Sequence, residues 1–522
     1  MGGVGHKQVG SRQQLNGYGT KSHASIDSTP IQPGKSKLTR NGVGVEQCRI
    51  QGKLRSVKRP LRISLRILAG LAVLVLASII LCLDTVDSRP YFRESYYTET
   101  VAQLRAGAET NKLARGQLAA GFGRARLSPT VNAPADVPSE GRFRSLPLAG
   151  YGNRHGKPAQ GIHDDIFVKA VALKVGDRLG VMVGADALII PREVAEKAVR
   201  RLEELGLSRE QIYLSATHTH SSVGAWGQGI VAESFAGGFQ PEARAWFSDC
   251  IVAAVRDALA DFKPAQFGHG RFVASQFIRN RLVGGLGRVD PEFCYAVIKQ
   301  DAGKLAVLGV YGAHATTLSS DMMEFSADYP GCWERAVEQA TGGLAVFLAG
   351  GVGSHSPVAG GRGFEGAEQM GQALAKTLLE RLPQTSLTNS VTFGIIGLDV
   401  TLPPLNARLS DNIRLRSWLA QKLLPVKSHS FIQVFRIENS LWVSTPCDFS
   451  GELALGIKDF LRVQGSDAAV TSFNGDYIGY VIPSRYYHLN GYEPRIMSFF
   501  GPNVPDYFDE LIRSMALTLI NK

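Results

Sequence analysis

The chain has 522 residues, 44% of them hydrophobic and 8% aromatic, which is enough to bury a large core and excludes a wholly disordered or fibrous protein. Its net charge of +11 is confined to one end: residues 1–66 hold 13 Lys and Arg against Asp27 and Glu46, leaving 44 of the 57 basic residues against 44 of the 46 acidic ones. The body is therefore neutral on balance, which gives no reason to expect a nucleic-acid partner. The six cysteines (48, 82, 250, 294, 332 and 447) form no CxxC pair, so neither a metal clip nor a disulfide scaffold is indicated.

Residues 1–62 are rich in Gly, Ser, Gln and Lys and end in a dense basic run, Lys53, Arg55, Lys58, Arg59 and Arg62. A segment with so little apolar periodicity is expected to be a disordered basic tail. The uncharged run ILAGLAVLVLASIILCL follows at 67–83, long enough to cross a bilayer at the short end of roughly 17–25 residues. A cleaved signal peptide, an uncleaved anchor and a buried core helix are the competing readings. The long preceding polar region and the lack of an Ala-x-Ala site before 84–87 favour an anchor over 63–84. The positive-inside rule then keeps the N-terminus cytoplasmic and the rest periplasmic or otherwise extracytoplasmic. Residues 85–130 read as a stalk or linker, with some helical spacing between 96 and 118, and a globular domain is expected over 131–522.

Strand-like and helix-like runs alternate in that domain. Strands are expected at 166–173, 179–184, 212–216, 293–298 and 305–311, the last two as a hairpin or neighbours around Asp301-Ala302-Gly303. Amphipathic helices are expected at 191–205, closed by Gly206, and at 242–262, 329–340 and 366–382. The fold class is mixed α/β.

Three places carry chemistry. After the strand at 212–216 comes Thr217-His218-Thr219-His220-Ser221-Ser222. Positions i and i+2 of an extended segment share a side, so the two imidazoles can hold a metal, or one can hold it while the other handles a proton. The alternative is a hydrogen-bonded pair in a polar turn. A second strand ends in Gly312-Ala313-His314-Ala315-Thr316, and two histidines at strand tips can be assembled into a metal site from distant sequence, although a lone strand-end histidine can equally be structural. A third strand runs into Gly350-Gly351-Val352-Gly353-Ser354-His355-Ser356. Glycines there admit close approach of a ligand, or form a plain turn. No Lys follows, so this is not a phosphate-binding loop.

Taken together and in order, these segments resemble the neutral (non-lysosomal) ceramidases over roughly residues 145–500. A THTHSGPGG-like stretch is similar to 217–224, an HPTSM-like one to 314–318 and an SxDxPG-like turn to 326–331. An NRSP-like motif is similar to 280–283, a GDVSPN-like loop to 353–358, a PGEFTT-like segment to 446–450 and a YxxYVTT…YEG stretch to 477–493. The resemblance implies a zinc amidohydrolase that cleaves the N-acyl bond of ceramide-like lipids to a sphingoid base and a fatty acid. It implies Zn2+ held by His218, His314, Asp448 and Tyr480, with His220, Arg281, Tyr492 and Ser356 acting on the substrate. The chain departs from the pattern in carrying Asp448 for Glu, Ser354 for Asp and Val358 for Asn, and in losing the second half of NRSP. No C-terminal immunoglobulin-like domain is expected. Two other readings stay open: a same-fold amidase acting on another N-acyl lipid or an envelope amide, and a non-catalytic membrane-anchored binding module.

Overall fold

The computed structural model describes residues 46–424 and 426–522, with side chains from residue 61 onward. The expected disordered tail therefore lies, over 1–45, outside the described residues. One helix covers Glu46–Cys82. It starts well before the expected boundary at 63, because the Gln, Arg, Lys and Leu residues preceding the apolar run are good helix formers. Within it, Leu61–Cys82 is long and apolar enough to cross a membrane. Residues up to Val75 form one unit and Leu76–Lys522 another.

The second unit is built on a twelve-stranded mixed sheet. The segment 85–130, expected as a stalk or linker with some helical spacing, supplies a helix, Ser95–Thr110, and beyond that expectation the strand Ala114–Arg126. That strand pairs with three others, Phe167–Val175, Lys263–Val273 and Ser390–Thr401, and sits at the branch point of the sheet. Its Ala/Gly-rich sequence gives no β-propensity signal. The reason is tertiary: a Cβ at Gly121 or Gly123 would overlap the carbonyls of Ala258 or Ala254 on the helix Pro241–Ala260. The small residues exist to let that helix lie directly on the strand.

The other expected elements are present within a few residues. The strands are Phe167–Val175, Arg178–Ala185, Ile212–Ala216, Glu292–Gln300 and Leu305–Tyr311. The last two form the antiparallel pair. The helices are Arg192–Glu203, Pro241–Ala260, Asp328–Thr341 and Gly363–Arg381.

The two arms of the sheet pack face to face around a shared core that includes Leu118, Met182, Tyr213, Phe267, Leu308, Val346, Phe435 and Trp442. Tyr213 is fully buried and its hydroxyl donates to Val443 O at 2.9 Å on the opposite arm. Helices cover the outer faces over three further cores. The architecture is thus helix, sheet, sheet, helix.

Within the large sheet, three strand pairs among the described residues are parallel: Arg178–Ala185 with Ile212–Ala216, Leu305–Tyr311 with Leu344–Ala349, and Ser440–Ser444 with Asp467–Thr471. The carboxyl ends of these six strands lead to Leu188, His218, His314, Val352, Asp448 and Phe473. In parallel sheets, sites form outside strand carboxyl ends, and these six residues meet there.

Candidate metal centre

His218 sits two residues past its strand in a left-handed conformation, φ +64°. This turns the ring back over the strand ends. The ring is buried, and Phe473, itself at φ +65°, stacks on it with centroids 4.2 Å apart and planes 15° from parallel. Nδ1–H donates to Leu188 O at 2.6 Å. On His314 the equivalent nitrogen faces Val352 O at 3.3 Å. A carbonyl can only accept, so each ring carries a proton on Nδ1, and in its neutral form presents a bare Nε2. Burial, reinforced by the neighbouring Arg281 and histidines, holds the His314 pKa well below the ordinary value, so the ring is neutral.

These bare nitrogens face each other. His218 Nε2 lies 2.9 Å from His314 Nε2 and 3.3 Å from Asp448 Oδ1. Asp448 is buried, and its Oδ1 receives no hydrogen bond. Its Oδ2 accepts from Tyr477 Oη at 2.8 Å. Three acceptors thus converge with no donor among them, an arrangement a cation relieves. Two imidazoles and a carboxylate, each oriented by a second hydrogen bond, fit zinc.

His220 joins them. Its Nε2 lies 3.1 Å from His314 Nε2, and the ligand atoms of His218, His220 and His314 all fall within 4.8 Å of one another. Burial, with His218 alongside, also pushes the His220 pKa well below the ordinary value. The segment 149–154 clamps this residue. Gly150 leaves room for it, since a Cβ there would lie 2.6 Å from His220 Cβ. The Tyr151 ring packs 4.7 Å from the imidazole. The buried Arg154 guanidinium donates to His220 O, to Met322 O at 2.8 Å and to Ser320 O at 3.0 Å.

Tyr480 and Arg281 form the adjoining wall. Tyr480 pairs with Asp448 across a two-residue parallel bridge, and its hydroxyl accepts from Arg281 Nη2 at 3.0 Å. Burial, then the Asp448 charge, raises the Tyr480 pKa well above its usual value. Arg281 also pairs with Glu493, Nε to Oε1 2.8 Å. Tyr492 packs edge-on against Tyr480, with centroids 5.9 Å apart, and is half exposed at the rim. Burial and Asp448 push its pKa up to about 12.

Ser356 is tied elsewhere. Its hydroxyl accepts from Arg279 Nε at 3.1 Å, and it shares no hydrogen bond with the histidines. The glycines of 350–353 also have a different use from the expected approach of a ligand. A Cβ at Gly353 would overlap the Asp448 carbonyl, and one at Gly351 would lie 2.7 Å from Gly451 Cα. They admit the Asp448 loop, while Ser354 Oγ bonds Ser450 Oγ at 2.9 Å.

Phe473, Tyr477, Tyr151 and Arg154, and the Leu188 and Val352 carbonyls, were not legible as site groups. Only Tyr477 left a trace, at the start of the YxxY stretch. A largely apolar groove lined by Ile189, Trp226, Phe235, Leu424, Met497 and Phe499 ends at Tyr477, whose hydroxyl donates to Asp448.

Comparison with known proteins agrees with the resemblance seen in the motifs. Residues 135–282 match the family described as neutral/alkaline non-lysosomal ceramidase, N-terminal. Neutral ceramidase of Mycobacterium tuberculosis is 28% identical over 226 residues, 39% of this chain and 34% of that protein. Neutral ceramidase of Pseudomonas aeruginosa is 27% identical over 238 residues, 42% and 35% respectively. The aligned part thus spans about a third of the curated relatives. The crystal structure of the Pseudomonas aeruginosa enzyme superposes with a TM-score of 0.67 at 19% identity, covering 78% of this chain and 75% of that one. A ceramidase complexed with C2 gives 0.64 at 18%, covering 77% and 75%. The likeness to neutral ceramidases is therefore carried by sequence over about two fifths of the chain, with the family match at 135–282, and by fold over about three quarters of it.

Proposed function

We propose that this chain is a zinc-dependent amidohydrolase of the neutral ceramidase type. It hydrolyses the N-acyl bond of ceramide-like lipids to a sphingoid base and a fatty acid, and the apolar N-terminal helix holds it at a membrane with its body on the extracytoplasmic side. The observation that carries the reading is the convergence of His218 Nε2, His314 Nε2 and Asp448 Oδ1 without a donor. These residues would hold zinc, with Tyr480 beside Asp448 as the further oxygen. Bound there, zinc supplies Lewis acidity toward water and the amide carbonyl.

The chain's own residues do the rest. His220, neutral and clamped from below, accepts the proton of the attacking water and returns it to the departing amine. Arg281, fixed by Glu493 and Tyr480, donates to the oxygen on which charge develops. Tyr492 at the rim, and Ser356 on the strand beside Arg279, position the substrate.

One feature favours a second substrate in the same chemistry. Ser354 and Val358 replace polar residues of the ceramidase pattern, and Ser354 is turned into a hydrogen bond with Ser450, so the loop offers fewer groups to a sphingoid headgroup. Another N-acyl lipid or an envelope amide fits that loop.

Metal analysis and turnover of the purified chain test both readings. Stoichiometric zinc, lost in His218→Ala, with ceramide cleavage is expected. Cleavage only of other N-acyl amides assigns the second substrate, and a metal-free, inactive wild type leaves a lipid-binding module and overturns the enzyme.

A further inference from the structure

We propose that the short helix Ser417–Leu423 and the rim around Ile496 form a second contact with the lipid bilayer, one that opens the apolar approach to the metal centre directly onto the membrane surface. The bilayer contact itself stands on chain geometry. Its use as a substrate entrance rests on the lipid amidase reading above.

The apolar run ends at Cys82, and the three residues after it, Leu83–Thr85, pair in antiparallel register with Ile413–Leu415. The Arg416 N–H donates to Cys82 O at 2.8 Å, and its guanidinium Nε lies 3.1 Å from Leu83 O. At about 3.3 Å per residue, a helix that starts at 417 cannot lie more than ~10 Å beyond the end of the apolar run. The headgroup layer on each side of a bilayer is itself roughly 5–8 Å deep. If Leu61–Cys82 crosses the bilayer, Ser417–Leu423 starts inside or against that layer.

The composition of the segment suits this place. Ala420 is buried and faces the body, while Trp418 (52% exposed) and Lys422 lie on the opposite side, Lys422 Nζ 5.5 Å from the Trp418 ring. Leu409, Leu423 and Ile496 are also half or more exposed. Residues 405–427 carry five basic side chains against the single acid Asp411, and Arg416, Lys422 and Lys427 are free of any acidic partner among the described residues. Trp with Lys and Arg beside exposed aliphatics is the pattern of an interfacial helix on anionic lipid.

Two grooves continue from this patch inward. One is lined by Ala420, Leu423, Leu424, Ile496 and Phe499. Leu424 and Phe499 also line the groove that reaches Tyr477, whose hydroxyl holds Asp448. An acyl chain leaving the bilayer at Leu423 and Ile496 has a path of apolar contacts as far as Tyr477, beside Asp448.

Trp418 supplies its own probe. Of five tryptophans, Trp226, Trp246, Trp333 and Trp442 are buried and only Trp418 is exposed. The full chain is reconstituted in phosphatidylcholine/phosphatidylglycerol vesicles with brominated or unbrominated acyl chains, and tryptophan emission is compared. Wild-type emission is expected to fall by about a fifth, its share of the five tryptophans, and the fall is expected to vanish in Trp418→Ser. Lys422→Glu/Lys427→Glu is expected to weaken quenching. No quenching in the wild type, or equal quenching in Trp418→Ser, overturns the contact. In parallel, Trp418→Ser is expected to retain turnover of a short, soluble N-acyl amide and to lose at least threefold on a long-chain N-acyl amide presented in vesicles. Quenching without any amide turnover refutes the enzyme reading and leaves the bilayer contact standing. Equal loss on both substrates refutes the entrance.

Discussion

Replacing Asp448 by Asn should reverse the order of stability between metal-free and metal-loaded protein. Without a cation, Asp448 Oδ1 is buried, has no donor, and lies 3.3 Å from the bare Nε2 of His218. A buried acceptor left unsatisfied costs about 1–3 kcal/mol. In Asp448→Asn the amide oxygen can keep the Tyr477 hydrogen bond, and the amide N–H2 can donate where Oδ1 now faces His218. The chelator-treated variant should therefore be more stable than chelator-treated wild type by about 1–3 kcal/mol. At roughly 1–2 °C per kcal/mol, extending downward the ~2–4 °C typical of 150–250-residue domains, this raises Tm by about 1–6 °C. Zinc should invert the order. At a thousandfold excess over Kd the wild type gains about 4 kcal/mol by linkage, while the variant, lacking the charged oxygen, gains far less. Scanning calorimetry of both proteins in chelator and in zinc measures the crossing. A wild-type Tm indifferent to zinc, or a variant less stable than wild type in chelator, would refute the convergence of unpaired acceptors as the basis of the site.

His218→Ala should lose bound zinc, whereas His220→Ala should keep it and lose turnover; equal metal loss by both would make His220 a ligand and remove it from proton transfer. The pH dependence has a definite sign. The pKa values of His220 and His314 are lowered in the folded state, so below about 6.5 the unfolded chain takes up protons that the folded one refuses. Metal-free protein should hold its Tm between pH 8 and 7 and lose up to ~1.4 kcal/mol per pH unit per histidine below 6.5; thermal scans across pH 5–8 that stay flat would contradict the buried neutral rings. Gly353→Ala should destabilise by about 1–3 kcal/mol through overpacking against the Asp448 carbonyl and weaken zinc binding, read by melting and by titration with a competing chelator. Arg154→Met should lower kcat with little change in zinc content, because it frees the His220 carbonyl and leaves the ligands in place; unchanged kcat would mean the clamp on His220 is not needed.

Local pattern carried a large part of the fold. The helices at 192–203 and 241–260 and the strands at 212–216 and 305–311 follow from periodicity, which depends only on near neighbours. The strand at 114–126 did not follow, because its residues were chosen for the helix lying on them and not for extended propensity. The candidate site divides the same way. His218, His220 and His314 were visible as strand-tip histidines, and Asp448, Tyr480 and Arg281 through motif resemblance.

The sequence by itself determined the residue types: a set of imidazoles, a carboxylate and a tyrosine at the ends of apolar runs, behind one apolar segment. Only the tertiary structure decided what they face. Left-handed turns at His218 and Phe473 aim the ring, and the Leu188 and Val352 carbonyls fix both tautomers. Parallel pairing brings six strand ends together, and Arg279 donates to the Ser356 hydroxyl. Tautomer, convergence and the close approach at Gly353 depend on groups up to hundreds of residues apart. Backbone carbonyls, which any residue carries, leave no trace in the amino-acid sequence.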